Sequence, residues 1–327
     1  MFGGDLMRDH GGNLDAAKLQ YGGDDWIDLS TGINRSPYPL PPIPPEAWTA
    51  LPLRSATAAL CTQARATYRV APQAAITALA GAQGAIQLLP HLGRPGHARI
   101  FGPTYNEHAA CLIAAGWRVE TVSSLAEIEG ADLGVVVNPN NPTGHRFSPE
   151  DLLSLRAKIG KLIVDESFAD PSPELSLAPQ CGAEGIFVLR SFGKFYGLAG
   201  LRLGFVIGAS AQIDAIREMA GPWPISGPAI EIGRIALADA AWAEATTQRL
   251  RAECVEIDAM AAQAGWKLAG GAELFRLYST PNARAAQERL ARHQIWSRIF
   301  PWSDTLIRLG LPSGPSEWGR LRAAMEE

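Results

Sequence analysis

Ser191-Phe192-Gly193-Lys194-Phe195-Tyr196-Gly197-Leu198-Ala199-Gly200-Leu201-Arg202-Leu203-Gly204 follows the apolar run Ile186-Phe187-Val188-Leu189, which reads as a buried strand. A lysine beside a strand end is ordinarily a solvated surface group. Here its neighbours are apolar and glycine-rich, so an ammonium among them loses water and its pKa falls. The freed amine is then a nucleophile suited to Schiff-base formation. Ser191 and Arg202 flank it, a hydroxyl and a permanent cation fit for a phosphate. Lysine is scarce in this chain, only Lys18, Lys158, Lys161, Lys194 and Lys267 among 29 basic residues, so any lysine chemistry has few candidates.

Working outward from Lys194, three further polar groups stand at the downstream ends of expected strands, where ligands sit in open α/β sheets. Asp165 and Glu166 follow Lys161-Leu162-Ile163-Val164 directly; an acid there is either a cap or the partner of a buried cationic ring. Asn138-Pro139-Asn140-Asn141-Pro142-Thr143-Gly144 follows Leu133–Val137. Its residues are turn formers, but two Asn-Pro steps are more elaborate than a turn needs. Gly81-Ala82-Gln83-Gly84-Ala85 opens a helical stretch, and small residues at a helix start expose amides to an anion.

The surrounding pattern is α/β. Short, continuously apolar strands, including Ala98–Phe101 and Leu203–Ile207, alternate with helical stretches such as Ser55–Tyr68 and Asn106–Ala115, which predicts a mainly parallel sheet covered on both faces. Ser148-Pro149-Glu150-Asp151 carries an N-cap serine, proline at the first helical position and acids at the positive helix end. Residues 1–47 read as an irregular arm wrapping the body, since six prolines fall between Pro37 and Pro45. Residues 48–220 read as a large domain and 221–327 as a smaller α+β domain, with helices over 230–264, 282–291 and 315–325.

At 327 residues, 47% apolar and 19% charged, with 29 basic against 33 acidic residues, the chain has the composition of a soluble globular protein. No basic excess exists to grip nucleic acid through phosphate charge. No apolar run approaches the eighteen residues of a membrane span, and the first residues lack the basic end and apolar core of a secretory signal; the expected compartment is the cytoplasm. Cys61, Cys111, Cys181 and Cys254 are widely spaced, and the six histidines form no HxxxH pair, so neither a disulfide framework nor a protein-bound metal is expected.

The combination of NPNNPTG, then VDES with Asp165 twenty-four residues after Asn141, then SFGK with Lys194 twenty-nine after Asp165, then Arg202 eight further on, resembles the fold-type I pyridoxal-phosphate (PLP) enzymes of the aspartate aminotransferase superfamily. The resemblance implies roles. Lys194 would hold PLP covalently, and Asp165 would face the pyridine nitrogen. Asn141 would bond the ring's phenolic oxygen, and Tyr105 would stack on the ring. Ala82 and Gln83 amides, Ser191 and Arg202 would hold the cofactor phosphate. Three positions depart from the family's habit: Phe168 stands where tyrosine is frequent, Gly193 where serine or threonine often precedes the lysine, and Leu51-Pro52 where Tyr-Pro is common. The cofactor is therefore expected to have fewer side-chain contacts here.

Within the superfamily, the arm is similar to that of the L-threonine-O-3-phosphate decarboxylases of cobalamin biosynthesis, through His10-Gly11-Gly12-Asn13 and Asp28-Leu29-Ser30-Thr31-Gly32-Ile33-Asn34. Histidinol-phosphate aminotransferases are the next group. The resemblance implies a carboxylate clamp at Arg308 and further substrate contacts at His10, Asn34 and Arg298. It also implies a homodimer. The residues name cations but not their directions, so decarboxylation and transamination both stay open at this level. A PLP-binding regulator and a Rossmann dehydrogenase fit less well: no room exists for a DNA-binding domain before Gly81, and GAQGAI is a poor GxGxxG.

Overall fold

A computed structural model describes residues 10–327. A two-residue strand, Ile27–Asp28 (β1), precedes the seven strands of the central sheet. These are Ala74–Ala80 (β2), His97–Phe101 (β3), Arg118–Val122 (β4), Leu133–Val137 (β5), Lys161–Asp165 (β6), Ile186–Ser191 (β7) and Leu203–Ala209 (β8), in spatial order β2-β8-β7-β6-β5-β3-β4. The pairs from β7 through β4 are parallel, and β8 runs antiparallel to both β2 and β7. Six strands therefore end at one edge of the sheet, and β8 begins there. Loops from seven strands meet along that edge.

The alternation of side chains along each strand splits the sheet residues between two apolar layers. Val135, Ile163, Phe187, Leu189 and Val206 pack on one face with Ile86, Leu112 and Ile213 of the covering helices. Val136, Val164, Val188, Phe205 and Ile207 pack on the other with Leu60, Ala64 and Leu152. Burial on both faces is why the strands are continuously apolar. Strand β2 is the sheet's edge, and arginines cover its outer carbonyls: Arg65 donates to Ala74 O, and Arg217 to Ile76 O at 2.7 Å. That blocks further strand addition. Strands β2 and β4 were not expected from sequence. The first is alanine-rich, and the second is mostly exposed, so neither presents a buried β-branched run.

Helix Gly227–Ala238 packs on helix Arg54–Thr67, and helix Ala240–Gln263 leads to a second sheet. Its strands are Lys267–Ala272 (β9) and Phe275–Ser279 (β10), then, after Ile295–Trp296 (β11), Arg298–Phe300 (β12) and Ser303–Gly310 (β13), in antiparallel order β12-β13-β10-β9. The arm is not wholly irregular: Asn13 caps a helix at Leu14–Tyr21, its Oδ1 accepting from Ala16 N. Beyond it, β1 pairs with β11, Leu29 O accepts from Gly310 N, Asn34 N donates to Lys194 O and Tyr38 N to Tyr196 O. One extended segment thus ties the second sheet to the Lys194 loop. Among the described residues, no helix is long and apolar enough to cross a membrane.

Candidate active site

Each strand end delivers one functional side chain to the common edge. After β7, the short helix Phe192–Phe195 carries Lys194 into the wall between two connected cavities, of about 470 and 180 Å³. Its Nζ lies 5.7 Å from the centre of the Phe168 ring. Loss of water lowers the pKa of this amine to about 8, and the nearby Arg308 cation pushes the same way. Gly193, immediately before it, has no room for a side chain, since a Cβ would fall 2.8 Å from Ala199 Cα. That accounts for glycine at this position.

Asp165 ends β6 and is buried. Burial raises a carboxyl's pKa, but here hydrogen bonds outweigh it and hold Asp165 below its ordinary value. His108 Nε2 lies 2.9 Å from Oδ2, and Oδ1 accepts from Ser167 N at 3.0 Å and Ser167 Oγ at 2.5 Å. A buried, ionised carboxylate needs a cationic partner, and the site offers it to a ring N–H. Neither His108 nor Ser167 was singled out in the sequence. The signal for His108 was its place one helical turn after Tyr105.

In the Asn-Pro loop after β5 the three asparagines divide the work. Asn138 bonds Phe147 N and O, and Asn140 bonds Pro103 O, Thr104 Oγ1 and Thr143 Oγ1. These two fix the loop, and Asn141 faces both cavities. At the end of β2, helix Gly81–Leu88 starts without a side-chain cap, leaving first-turn amides for an anion. Gly204 brings β8 so close to this turn that a Cβ there would sit 2.4 Å from Ala82 N. Arg202, in a left-handed conformation at φ 52°, reaches the same turn: its Nη2 is 2.8 Å from where a Cβ on Gly81 would stand. Ser191 lines the same cavity. Because β8 is antiparallel, the residue before it lands beside the residues that follow β2 and β7.

The second sheet supplies the cations. Arg308 on β13 and Arg298 on β12 are cross-strand neighbours, a like-charge pairing that is unfavourable without an anion between them. Burial, and then Arg298, press against the charge of Arg308 and lower its pKa. Arg308 donates to Asn141 Oδ1 and Ser30 O, and its buried Nε has no partner among the described residues. Tyr105 donates to Gln83 Oε1 at 3.3 Å, and burial, with Glu107 nearby, raises its pKa to about 12. His10, from the arm, lines the larger of the two cavities. The structure therefore gathers Lys194, Asp165, Ala82, Gln83, Tyr105, Asn141, Ser191, Arg202, His10, Arg298 and Arg308 around the two cavities. Asn34 is not among the lining residues. It is buried behind Lys194, where Nδ2 donates to Phe195 O and Oδ1 accepts from Arg249 and Ser36 N. Among the described residues, no cluster of three or more His, Cys, Asp or Glu is placed to hold a metal.

An uncapped helix start beside a cation, an ionised buried carboxylate and a deprotonatable lysine fit the phosphate, ring nitrogen and aldehyde of PLP respectively. Known proteins carry the same likeness. The family model for aminotransferase class I and II matches residues 48–326. Threonine-phosphate decarboxylase of Pseudomonas aeruginosa is 41% identical, covering 98% of this chain and 97% of its own, and that of a Sinorhizobium species is 40% identical with 97% of each covered. Histidinol-phosphate aminotransferase 1 of Trichormus variabilis is 27% identical over 64% of this chain and 61% of its own. In fold, histidinol-phosphate aminotransferase from Sinorhizobium meliloti, solved with pyridoxal-5'-phosphate, superposes with a TM-score of 0.80 at 20% identity, over 95% of this chain and 92% of the other.

Proposed function

The chain belongs to the aminotransferase class I and II family, and from that premise we propose that it is a PLP-dependent decarboxylase. Its substrate is L-threonine O-3-phosphate and its product aminopropanol phosphate, a step of cobalamin biosynthesis. The observation that carries the reading is the pair of cross-strand arginines, Arg298 and Arg308, over the Lys194 cavity. Two cations suit a substrate with two anionic groups, and a threonine phosphate has a carboxylate and a phosphate. The near-full-length likeness to threonine-phosphate decarboxylases supports the choice of reaction.

When bound, PLP supplies a conjugated ring that accepts the electron pair released as a bond to the substrate's Cα breaks. Asp165, held ionised by His108 and Ser167, keeps the proton on the ring nitrogen. The Ala82 and Gln83 amides, Ser191 and Arg202 would bind the cofactor phosphate, Asn141 would hold the phenolic oxygen, and Tyr105 would pack against the ring. Lys194, with its lowered pKa, gives the amine that holds the aldehyde and afterwards can move a proton at Cα. Arg308 grips the carboxylate, and Arg298 and His10 take the phosphate. Fixing both ends of the substrate sets which bond at Cα would be presented to the cofactor. We place the enzyme in the cytoplasm, as a homodimer.

The test offers the PLP-loaded protein each substrate in turn. With L-threonine O-3-phosphate, carbon dioxide release without any keto acid is expected. Conversion of 2-oxoglutarate to glutamate with histidinol phosphate as the amino donor, and no carbon dioxide, would replace this reading with an aminotransferase.

A further inference from the structure

Glu107 belongs to none of the motifs above, yet it is a buried carboxylate bonded to His10 and Gln83, which line the two cavities. It opens helix Glu107–Ala114, and its two oxygens face two different parts of the site. Oε1 lies 2.9 Å from His10 Nε2 of the arm. Oε2 accepts from Gln83 Nε2 at 3.3 Å, and Gln83 Oε1 in turn accepts from the Tyr105 hydroxyl. The His10 and Tyr105 rings stand 5.7 Å apart. Beyond His10 the arm is seated on a second anchor. Gly12 N donates to Ser30 Oγ at 2.7 Å, and Gly11 lies so close that a Cβ would fall 2.3 Å from Ser30 O. The same Ser30 carbonyl accepts from Arg308.

We propose that Glu107 is a positioning residue that latches the arm over the cavity. It fixes the His10 ring on one side while Ser30 holds Gly11 and Gly12 on the other. A carboxylate on Nε2 fixes the ring's orientation and leaves Nδ1 as the nitrogen that can meet the substrate, as carboxylates behind metal-bound histidines orient theirs. Glu107 thereby sets affinity for the substrate's phosphate end rather than the bond-breaking step. This rests on the reading of the cavity as a phospho-amino-acid site.

The experiment uses PLP-loaded Glu107→Gln, Glu107→Ala, His10→Ala and the Glu107→Ala/His10→Ala double variant. Removing uniform binding raises KM with kcat little changed, so KM for L-threonine O-3-phosphate is expected to rise about tenfold in Glu107→Ala and less in Glu107→Gln, which keeps an oxygen toward His10. Because the two residues act as one unit, the double variant should be no worse than the worse single one. The second readout needs no turnover: inorganic phosphate should slow amide exchange of residues 11–13 in the wild type and not in Glu107→Ala. Loss of kcat at unchanged KM, multiplicative effects in the double variant, or release of PLP would overturn the latch. Should Glu107→Ala not fold, Glu107→Gln carries the same comparison. A wild type that protects its arm with phosphate but releases no carbon dioxide would sink the decarboxylase reading and leave the latch standing.

Discussion

Lys194 is charged in the unfolded chain over most of the accessible pH range and loses its proton early in the folded one. With its folded pKa lowered to about 8 from 10.5, the unfolded state binds more protons between those values, so stability rises with pH across that window. Below pH 8 both states are protonated, and the folded state carries the full burden of a desolvated ammonium. In the cofactor-free protein, Lys194→Met should remove this part of the slope, a difference of up to about 3 kcal/mol. Urea unfolding of both proteins at pH 7.5 and 10 measures it; parallel slopes would mean the amine is well solvated. The site's main groups were legible because each sits in an odd local context, a lysine in a glycine-rich apolar run or an acid directly after a buried strand. His108 was not, since its role arises only from a contact with Asp165 across 57 positions. Asn34 likewise has a motif but spends its amide on Phe195 and Arg249, a tertiary fact that no local pattern announces.

Strands β5 to β8 were readable because a strand buried on both faces must be apolar throughout. Strands β2 and β4 at the sheet's two edges were not, and β2 nonetheless carries at its end the turn proposed for the cofactor phosphate. The closeness of that turn to β8 gives a test. Gly204→Ala puts a methyl 2.4 Å from Ala82 N and Gly81 C, backbone atoms with no rotamer to yield, so the helix start must shift. The expected result is a folded protein that releases PLP at least about tenfold faster, since displaced amides no longer converge on the phosphate. Dialysis with absorbance of the retained cofactor follows the loss; unchanged retention would mean that these amides do not hold the phosphate. The arm's helix Leu14–Tyr21 escaped notice because its single strong signal, the Asn13 cap, lies in a glycine-rich surrounding.

On the scale of the molecule, one sheet carries the groups proposed for the cofactor, the other the cations proposed for the substrate, and the arm ties them together. Trp48, Leu51 and Leu53 are large apolar side chains left exposed close together in sequence just past the arm, and apolar surface that gathers into a patch marks an association face. Light scattering should therefore give about twice the 34.9 kDa chain mass, and a monomer at working concentration would remove the dimer from the account. The edge where six strands end and one begins converges on a single nitrogen. Borohydride reduction of the PLP-loaded protein followed by peptide mapping locates the trapped cofactor. The account predicts one pyridoxyl group, on Lys194; its appearance on Lys18, Lys158, Lys161 or Lys267, or no adduct at all, would contradict it.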